Sequence, residues 1–413
     1  MAKSHIISGI DIGNSQIKVV IAKVERDSLR PEIIGVGGAV SNGLRRGVVV
    51  DMEETVESIR SAVQRAGAMA GIIPKKTYLA VNGLHIRTQT SRGVIAVSRA
   101  DNEISQSDID RVLQAASVVS LPANREIIHV IPRNYIVDGT EYIKNPLGMK
   151  GVRLEAEVSI IDGLSPHLKN VAKCVNENDI EVSGLVFAPL AASFAVLDKN
   201  QKEYGVMNLD FGGGTSTLTV FEEAELIHSA VLPIGSKHIT NDLAVALRTS
   251  LDVAERIKLE HCCTSEGEDL RRKENIDLSK LMEEENFIVS KKQLVRVVDA
   301  RTSELLDMVT NELKKVSKNG LLPAGVILSG GGANLPGLNL LVKEKLRLPV
   351  KIAKANMEGV PDAVSDPSYS VAVGLIAWGF DQEFGGGKKG SSPLIQDNNF
   401  FKRVSDWLKN FLP

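Results

Sequence analysis

The N-terminal apolar positions fall into two rhythms, one of strands and one of helices. Residues 6–12 and 16–24 are nearly continuous strand formers around a short polar break, which predicts a hairpin, and "PEIIGVGGAV" (31–40) predicts a third antiparallel strand. In "DMEETVESIRSAVQRAGAMAG" (51–71) the apolar residues 52, 56, 59, 63 and 66 share one helical face. Asp51 is the expected N-cap, with Glu54 placed as in a capping box. "TYLAVNG" follows as a strand, so the first unit is a mixed sheet with a helix packed on it.

The pattern changes between about 84 and 162. "HIRTQTSRGVIAVS", "REIIHVIPRNYIVDG" and "GVRLEAEVSIID" predict strands, and "SQSDIDRVLQAASVV" predicts a helix capped by Ser105. This small α+β insert has no phosphate-binding glycine loop and reads as an interaction module. From 165 the alternation resumes with a helix (165–177), the strand "VSGLVFA" and the helix "PLAASFAVL", whose small residues permit close approach where two domains touch. Residues 206–232 repeat the opening hairpin, and 236–262 read as largely helical. The stretch 264–290 is acidic and irregular, a long helix is expected over about 290–318, and "AGVILSGGGANLPGL" (324–338) reads strand, glycine loop, helix. "EFGGGKKGSSPLIQDNN" has linker composition.

The last segment, "NFFKRVSDWLKNFLP", has one apolar helical face formed by Phe400, Phe401, Val404, Trp407, Leu408, Phe411 and Leu412. Lys402, Arg403, Asp406 and Lys409 form a net positive opposite face. It is too short to span a bilayer but suited to lie in the interface of an anionic one.

Composition narrows the picture. With 413 residues, several domains are expected. A hydrophobic share of 43% and a charged share of 24% fit a soluble globular protein, and a formal charge of −2 offers no global field for nucleic acid. Cys174, Cys262 and Cys263 lack metal-ligand spacing and suit a reducing cytoplasm. The start shows no basic segment followed by a long apolar stretch, so no secretory signal is expected, and the longest apolar run, 184–197, is broken by Pro189, so any membrane attachment is expected to be peripheral.

The candidate chemistry lies in the glycine loops. "IDIGNSQIK" and "NLDFGGGTS" each end an apolar strand in Asp-x-Gly, placing Asp11 and Asp210 at equivalent points. Glycine lets backbone N–H groups approach phosphate oxygens, Ser15, Thr215 and Thr217 can donate further, and Lys18 can neutralise phosphate charge. Mg²⁺ favours oxygen ligands and keeps several waters, so the paired aspartates would face it through water. Either turn alone is more often an ordinary hairpin. The joint order carries the reading: hairpin, connecting helix, hairpin, glycine loop, connecting helix.

That order resembles the phosphate, connecting and adenosine motifs of the actin, Hsp70 and sugar-kinase superfamily. Within it, "NPLGMKGVRLEAEV" and "LPIGSKHITNDLAVALRTSLDVAERIKLEHC", with the amphipathic end, resemble the FtsA family of bacterial cell-division proteins. The resemblance covers nearly the whole chain. It implies an α/β, two-lobed actin-like ATPase fold, with mixed five-stranded sheets flanked by helices and ATP and Mg²⁺ between the lobes. Asp11, Gly13, Asn14, Ser15 and Lys18 fall on the first phosphate loop, and Asp210, Gly212, Gly213, Gly214 and Thr215 on the second. Gly330, Gly331 and Gly332 fall on the adenosine loop, and Glu255 and Lys258 where the superfamily contacts ribose and adenine. Asp11 and Asp210 are the implied Mg²⁺ carboxylates.

The implied layout is one lobe from 1–83, 163–202 and 365–384, an inserted interaction subdomain at 84–162, and a second lobe from 203–235 and 323–364. Its outer subdomain is 236–322, followed by a linker (385–398) and the amphipathic helix (399–413). The family's implied partners are FtsZ through its C-terminal peptide, other copies of the chain in a filament, the anionic inner face of the cell membrane, and further division proteins. On the long helix Lys292, Arg296 and Arg301 are candidates for that peptide, although Arg301 is turned away from the other two. No catalytic base stands out, since the residues before the first connecting helix offer only Glu181 and Ser183, so at most slow hydrolysis is expected. The rival readings are a type IV pilus adaptor and a small-molecule kinase.

Overall fold

The computed structural model describes residues 5–25, 30–265, 274–282, 287–318, 321–355 and 361–384. Within them, two five-stranded sheets share one topology. In the first, Pro31–Val40, Gln16–Val24 and His5–Ile12 run antiparallel, and Lys76–Val81 and Glu181–Phe187 continue from His5–Ile12 in parallel. In the second, Glu225–Leu232, Ser216–Glu222 and Val206–Phe211 are antiparallel, then Val326–Ser329 and Val350–Ile352 are parallel. The repeat expected from the two Asp-x-Gly hairpins is therefore a repeat of whole sheets. Each sheet packs an apolar core, and the first core also takes in Val206, Phe221, Leu226 and Ile327 from the second sheet.

The helix Met52–Ala70 begins as its sequence predicts, with the Asp51 carboxylate accepting the Glu54 N–H at 3.0 Å. It lies so close to Pro31–Val40 that a Cβ on Gly37 would stand 2.1 Å from the Ala62 carbonyl oxygen. The small-residue helix Ala188–Val196 packs equally closely on Ser370–Phe384, where Gly374 would meet the Ala191 carbonyl. It also touches the second lobe, through Ser193 and Thr219, whose hydroxyls are 2.8 Å apart.

The insert is a four-stranded antiparallel sheet, ordered Arg87–Ala96, Arg153–Leu164, Arg125–Val137 and Thr140–Ile143, with the helix Gln106–Ser117 on one face. At the Ser105 cap the Asp108 carboxylate takes both the backbone N–H and the hydroxyl of Ser105. The insert also reaches the second lobe. Thr88 and Ser229 hydroxyls meet at 2.7 Å and Lys144 pairs with Glu203 at 3.2 Å.

Two regions differ in detail from the sequence reading. Residues 236–262 form two helices, Ser236–Leu247 and Leu251–His261, broken where Arg248 turns left-handed at φ 53° and Ser250 caps the second. The long helix is Lys291–Lys315. Cys174, Cys262 and Cys263 are all buried, and burial pushes the Cys262 thiol up to about 12. No described helix is long and apolar enough to cross a membrane.

Candidate functional site

The two sheets end on a cleft of about 950 Å³. Asp11 enters it from the end of His5–Ile12, opposite Lys18 in the antiparallel register, and Asp210 enters from the end of Val206–Phe211, opposite Thr217. The first loop is closed by the Gly13 N–H donating to the Gln16 carbonyl at 3.1 Å. The second is closed so tightly that a Cβ on Gly212 would stand 2.7 Å from the Thr215 carbonyl.

The loops also meet each other. A Cβ on Gly213 would lie 2.1 Å from Ser15 Oγ, and one on Gly214 would lie 2.7 Å from Asn14 Cγ. Glycine here serves the approach of one lobe to the other. The third glycine loop is equally constrained: Gly330 has φ +81°, and its Cβ would fall 2.7 Å from both Asp210 Oδ1 and the Phe211 carbonyl.

The electrostatics are set by burial. It pushes Asp11 up to about 6, with Lys18 pulling the other way. Burial and then the Asp11 charge push Asp210 up to about 6, against Lys18 and the Ser329 hydroxyl, which lies 3.3 Å away. The Lys18 ammonium is pulled down by burial and held up by Asp11, Asp210 and Asp366. It donates to the Ser368 carbonyl at 2.7 Å and lies 5.2 Å from the centre of the Tyr369 ring.

Across the cleft Lys258 is buried, with its Nζ 2.7 Å from Glu255 and 3.0 Å from Thr240 Oγ1. Thr240 in turn donates to Glu255 at 2.5 Å. This network fixes the two side chains at one wall.

Of the residues singled out from sequence, Asp11, Gly13, Asn14, Ser15 and Lys18 line the cleft, as do Asp210, Gly212, Gly213, Thr215, Glu255, Lys258 and Gly330–332. Gly214 stands behind the lining, against Asn14. Sequence reasoning missed Asn82, Lys237 and the segment Asp366–Tyr369, which closes the side beside Lys18. Asp366 caps its own turn by accepting the Ser368 N–H at 2.8 Å and accepts from Asn334 at 2.9 Å. The Asp-Pro-Ser signal of that turn was visible, but nothing in it pointed to a cleft. Glu181 pairs with Lys76 on an exposed edge, away from the lining.

On the long helix Lys292 and Arg296 are exposed. Arg301 does not join them: its guanidinium is held by Asp242 at 2.7 and 2.9 Å and by Glu304 at 2.6 Å, tying the long helix to Ser236–Leu247. Residues 399–413, which carry the amphipathic pattern, lie outside the described residues.

Comparison with known proteins now bears on this arrangement. The family described as the SHS2 domain inserted in FtsA matches residues 83–162, and the family described as cell division protein FtsA matches 207–374. FtsA of Pseudomonas aeruginosa is 36% identical over 382 residues, covering 92% of this chain and 91% of its own. FtsA of Bacillus subtilis is 38% identical over 378 residues, covering 91% and 84%. The chain belongs to the FtsA family. FtsA of Escherichia coli K12 matches nearly end to end, at 32% identity over 98% of this chain and 97% of its own.

Solved structures agree on the actin-like fold. The PilM–PilN type IV pilus biogenesis complex aligns with TM-score 0.65 at 16% identity, over 91% of this chain and 98% of that one. MreB5 of Spiroplasma citri bound to ADP aligns with TM-score 0.55 at 13% identity, over 93% and 99%. Likeness at that identity speaks for the fold alone, so the pilus neighbour does not compete with the FtsA relatives.

Proposed function

We propose that this FtsA family member binds ATP with Mg²⁺ between its lobes, self-associates into actin-like filaments, and links FtsZ to the inner face of the cytoplasmic membrane through residues 399–413. The observation that carries the nucleotide reading is the meeting of two topologically equivalent Asp-x-Gly hairpins across one cleft. The donor set suits the group. Two carboxylates, Asp11 and Asp210, face the cleft with one buried ammonium, Lys18, on the return strand of the first hairpin, and at Gly331 a Cβ would meet only Ser368 Cβ, at 3.8 Å. Solved MreB5 structures of the same fold carry ADP or AMPPNP, which supports a nucleotide here.

On this reading Asp11 and Asp210 hold Mg²⁺ through water, Lys18 and the glycine loops take the phosphates, and Glu255, Lys258 and Gly330–332 take the nucleoside. Mg²⁺ supplies charge neutralisation at the phosphates when bound. The side chains do the rest by holding their positions: Lys18 is pinned by Ser368, and Glu255 by Lys258 and Thr240. No side chain is assigned to activate water, and turnover is slow at most.

The apolar face of 399–413 lies in the headgroup region, its basic residues adding on the order of 1 kcal/mol each at an anionic surface. One such helix binds weakly, and a filament multiplies it. Co-sedimentation with anionic liposomes, with and without ATP, followed by electron microscopy of the pellet, tests this. The full chain is expected to pellet as filaments with ATP, whereas deletion of 399–413 or the pair Trp407→Glu and Phe411→Glu leaves it in the supernatant with nucleotide binding intact. Undiminished pelleting of either variant would contradict the anchor.

A further inference from the structure

Lys237 lies in the cleft, yet neither glycine loop contains it. It is in the first turn of Ser236–Leu247, and that turn is fixed to the second loop: the N–H groups of Ser236 and Lys237 donate to the Gly212 and Gly213 carbonyls, both at 2.9 Å. Gly235, just before them, packs so closely that a Cβ would stand 2.5 Å from the Gly213 carbonyl. Lys237 therefore moves with the second loop. Its ammonium, however, donates to the backbone carbonyl of Asn14 on the first loop, at 2.8 Å. The Asn14 side chain in turn accepts the Gly47 N–H at 3.0 Å. One lysine thus joins the two loops across the cleft.

We propose that Lys237 is a releasable clasp between the lobes, whose ammonium exchanges the Asn14 carbonyl for the polyphosphate when nucleotide binds. The proposal rests on the nucleotide reading above. Its physical basis is the asymmetry of the two acceptors. A carbonyl is neutral, and an ammonium bonded to an anionic oxygen makes a charge-assisted bond roughly twice as strong. The surroundings favour release as well: burial lowers the Lys237 pKa against the Glu255 charge, and the acceptor the ammonium has where it stands is the neutral Asn14 carbonyl. Because the gain grows with ligand charge, the lysine favours a triphosphate over a diphosphate.

The test uses the full chain and two readouts. Calorimetric titration with MgATP and MgADP compares the wild type with Lys237→Met and Lys237→Arg, and hydrogen exchange of the ligand-free proteins follows residues 13–16 and Gly47. Lys237→Met is expected to weaken ATP on the order of tenfold, as for loss of a hydrogen bond to a charged group, and ADP several-fold less. It is also expected to speed exchange at 13–16 and Gly47 without ligand, while Lys237→Arg recovers most of both effects. Equal losses for ATP and ADP, or unchanged exchange in ligand-free Lys237→Met, would overturn the clasp. A wild type that binds neither nucleotide would overturn the nucleotide reading instead. The exchange data from ligand-free protein would then still decide whether Lys237 joins the lobes.

Discussion

Among the described glycines, Gly213 leaves the least room between the two lobes. A methyl group there would meet Ser15 Oγ at 2.1 Å and Ser15 Cβ at 3.0 Å, on the loop of the opposite lobe. Gly213→Val is therefore expected to force the loops apart, costing the ligand-free protein about 1–3 kcal/mol as overpacking does, and to remove any gain from ATP. Thermal denaturation with and without nucleotide measures both effects, and an unchanged ATP shift in the variant would contradict the reading. The sequence showed that this glycine was needed for close approach but assigned the approach to phosphate alone. The contact with Ser15 depends on two loops far apart in the chain, and no local pattern encodes it.

The carboxylates behave in the same bottom-up way. Asp11 and Asp210 have folded pKa values pushed up to about 6, above their unfolded values, so the folded protein binds more protons than the unfolded chain between about pH 4 and 6. Ligand-free stability should fall as pH rises through that window and stay at its lower level above it. Asp210→Asn should remove part of that fall and raise the ligand-free melting temperature at pH 8. Melts from pH 4.5 to 8 check this, and a ligand-free wild type that gains stability across the window would contradict the burial argument.

At the scale of elements, nearly continuous apolar runs located the central strands of both large sheets, which are buried along most of their length, whereas the short edge strand Val350–Ile352 was missed. The hairpin that adds Thr140–Ile143 to the insert was missed, although Asp138 and Gly139, at φ 48° and 86°, are a typical two-residue turn for one. Among the cleft residues, those flanked by glycine were legible. Asp366–Tyr369 and Lys237 were not, since they reach the cleft only through tertiary packing. The long helix separates two kinds of basic residue. Arg301 is spent on Asp242 and Glu304, whereas Lys292 and Arg296 are exposed. Arg301→Ala is expected to lower the melting temperature with little effect on acidic-peptide binding at low salt. Lys292→Glu with Arg296→Glu should do the reverse, leaving stability within about 0.5 kcal/mol as surface changes do and weakening an FtsZ C-terminal peptide. Peptide affinity unchanged by that pair would remove this face from the FtsZ contact.

At the scale of the whole molecule, two copies of one sheet topology face each other, and an inserted sheet touches both lobes. On the proposed reading nucleotide would bind in the cleft between the lobes, and the relation of the lobes would set which surfaces a filament presents. The most direct test is therefore thermal denaturation of the wild type and Asp210→Asn at pH 7.5 with ATP, with and without Mg²⁺. At a ligand concentration 100 times the dissociation constant, the wild type should gain about 2.7 kcal/mol with Mg²⁺ present, and Asp210→Asn should lose most of that Mg²⁺-dependent gain. A wild-type melting temperature unmoved by MgATP at millimolar concentration would contradict the account.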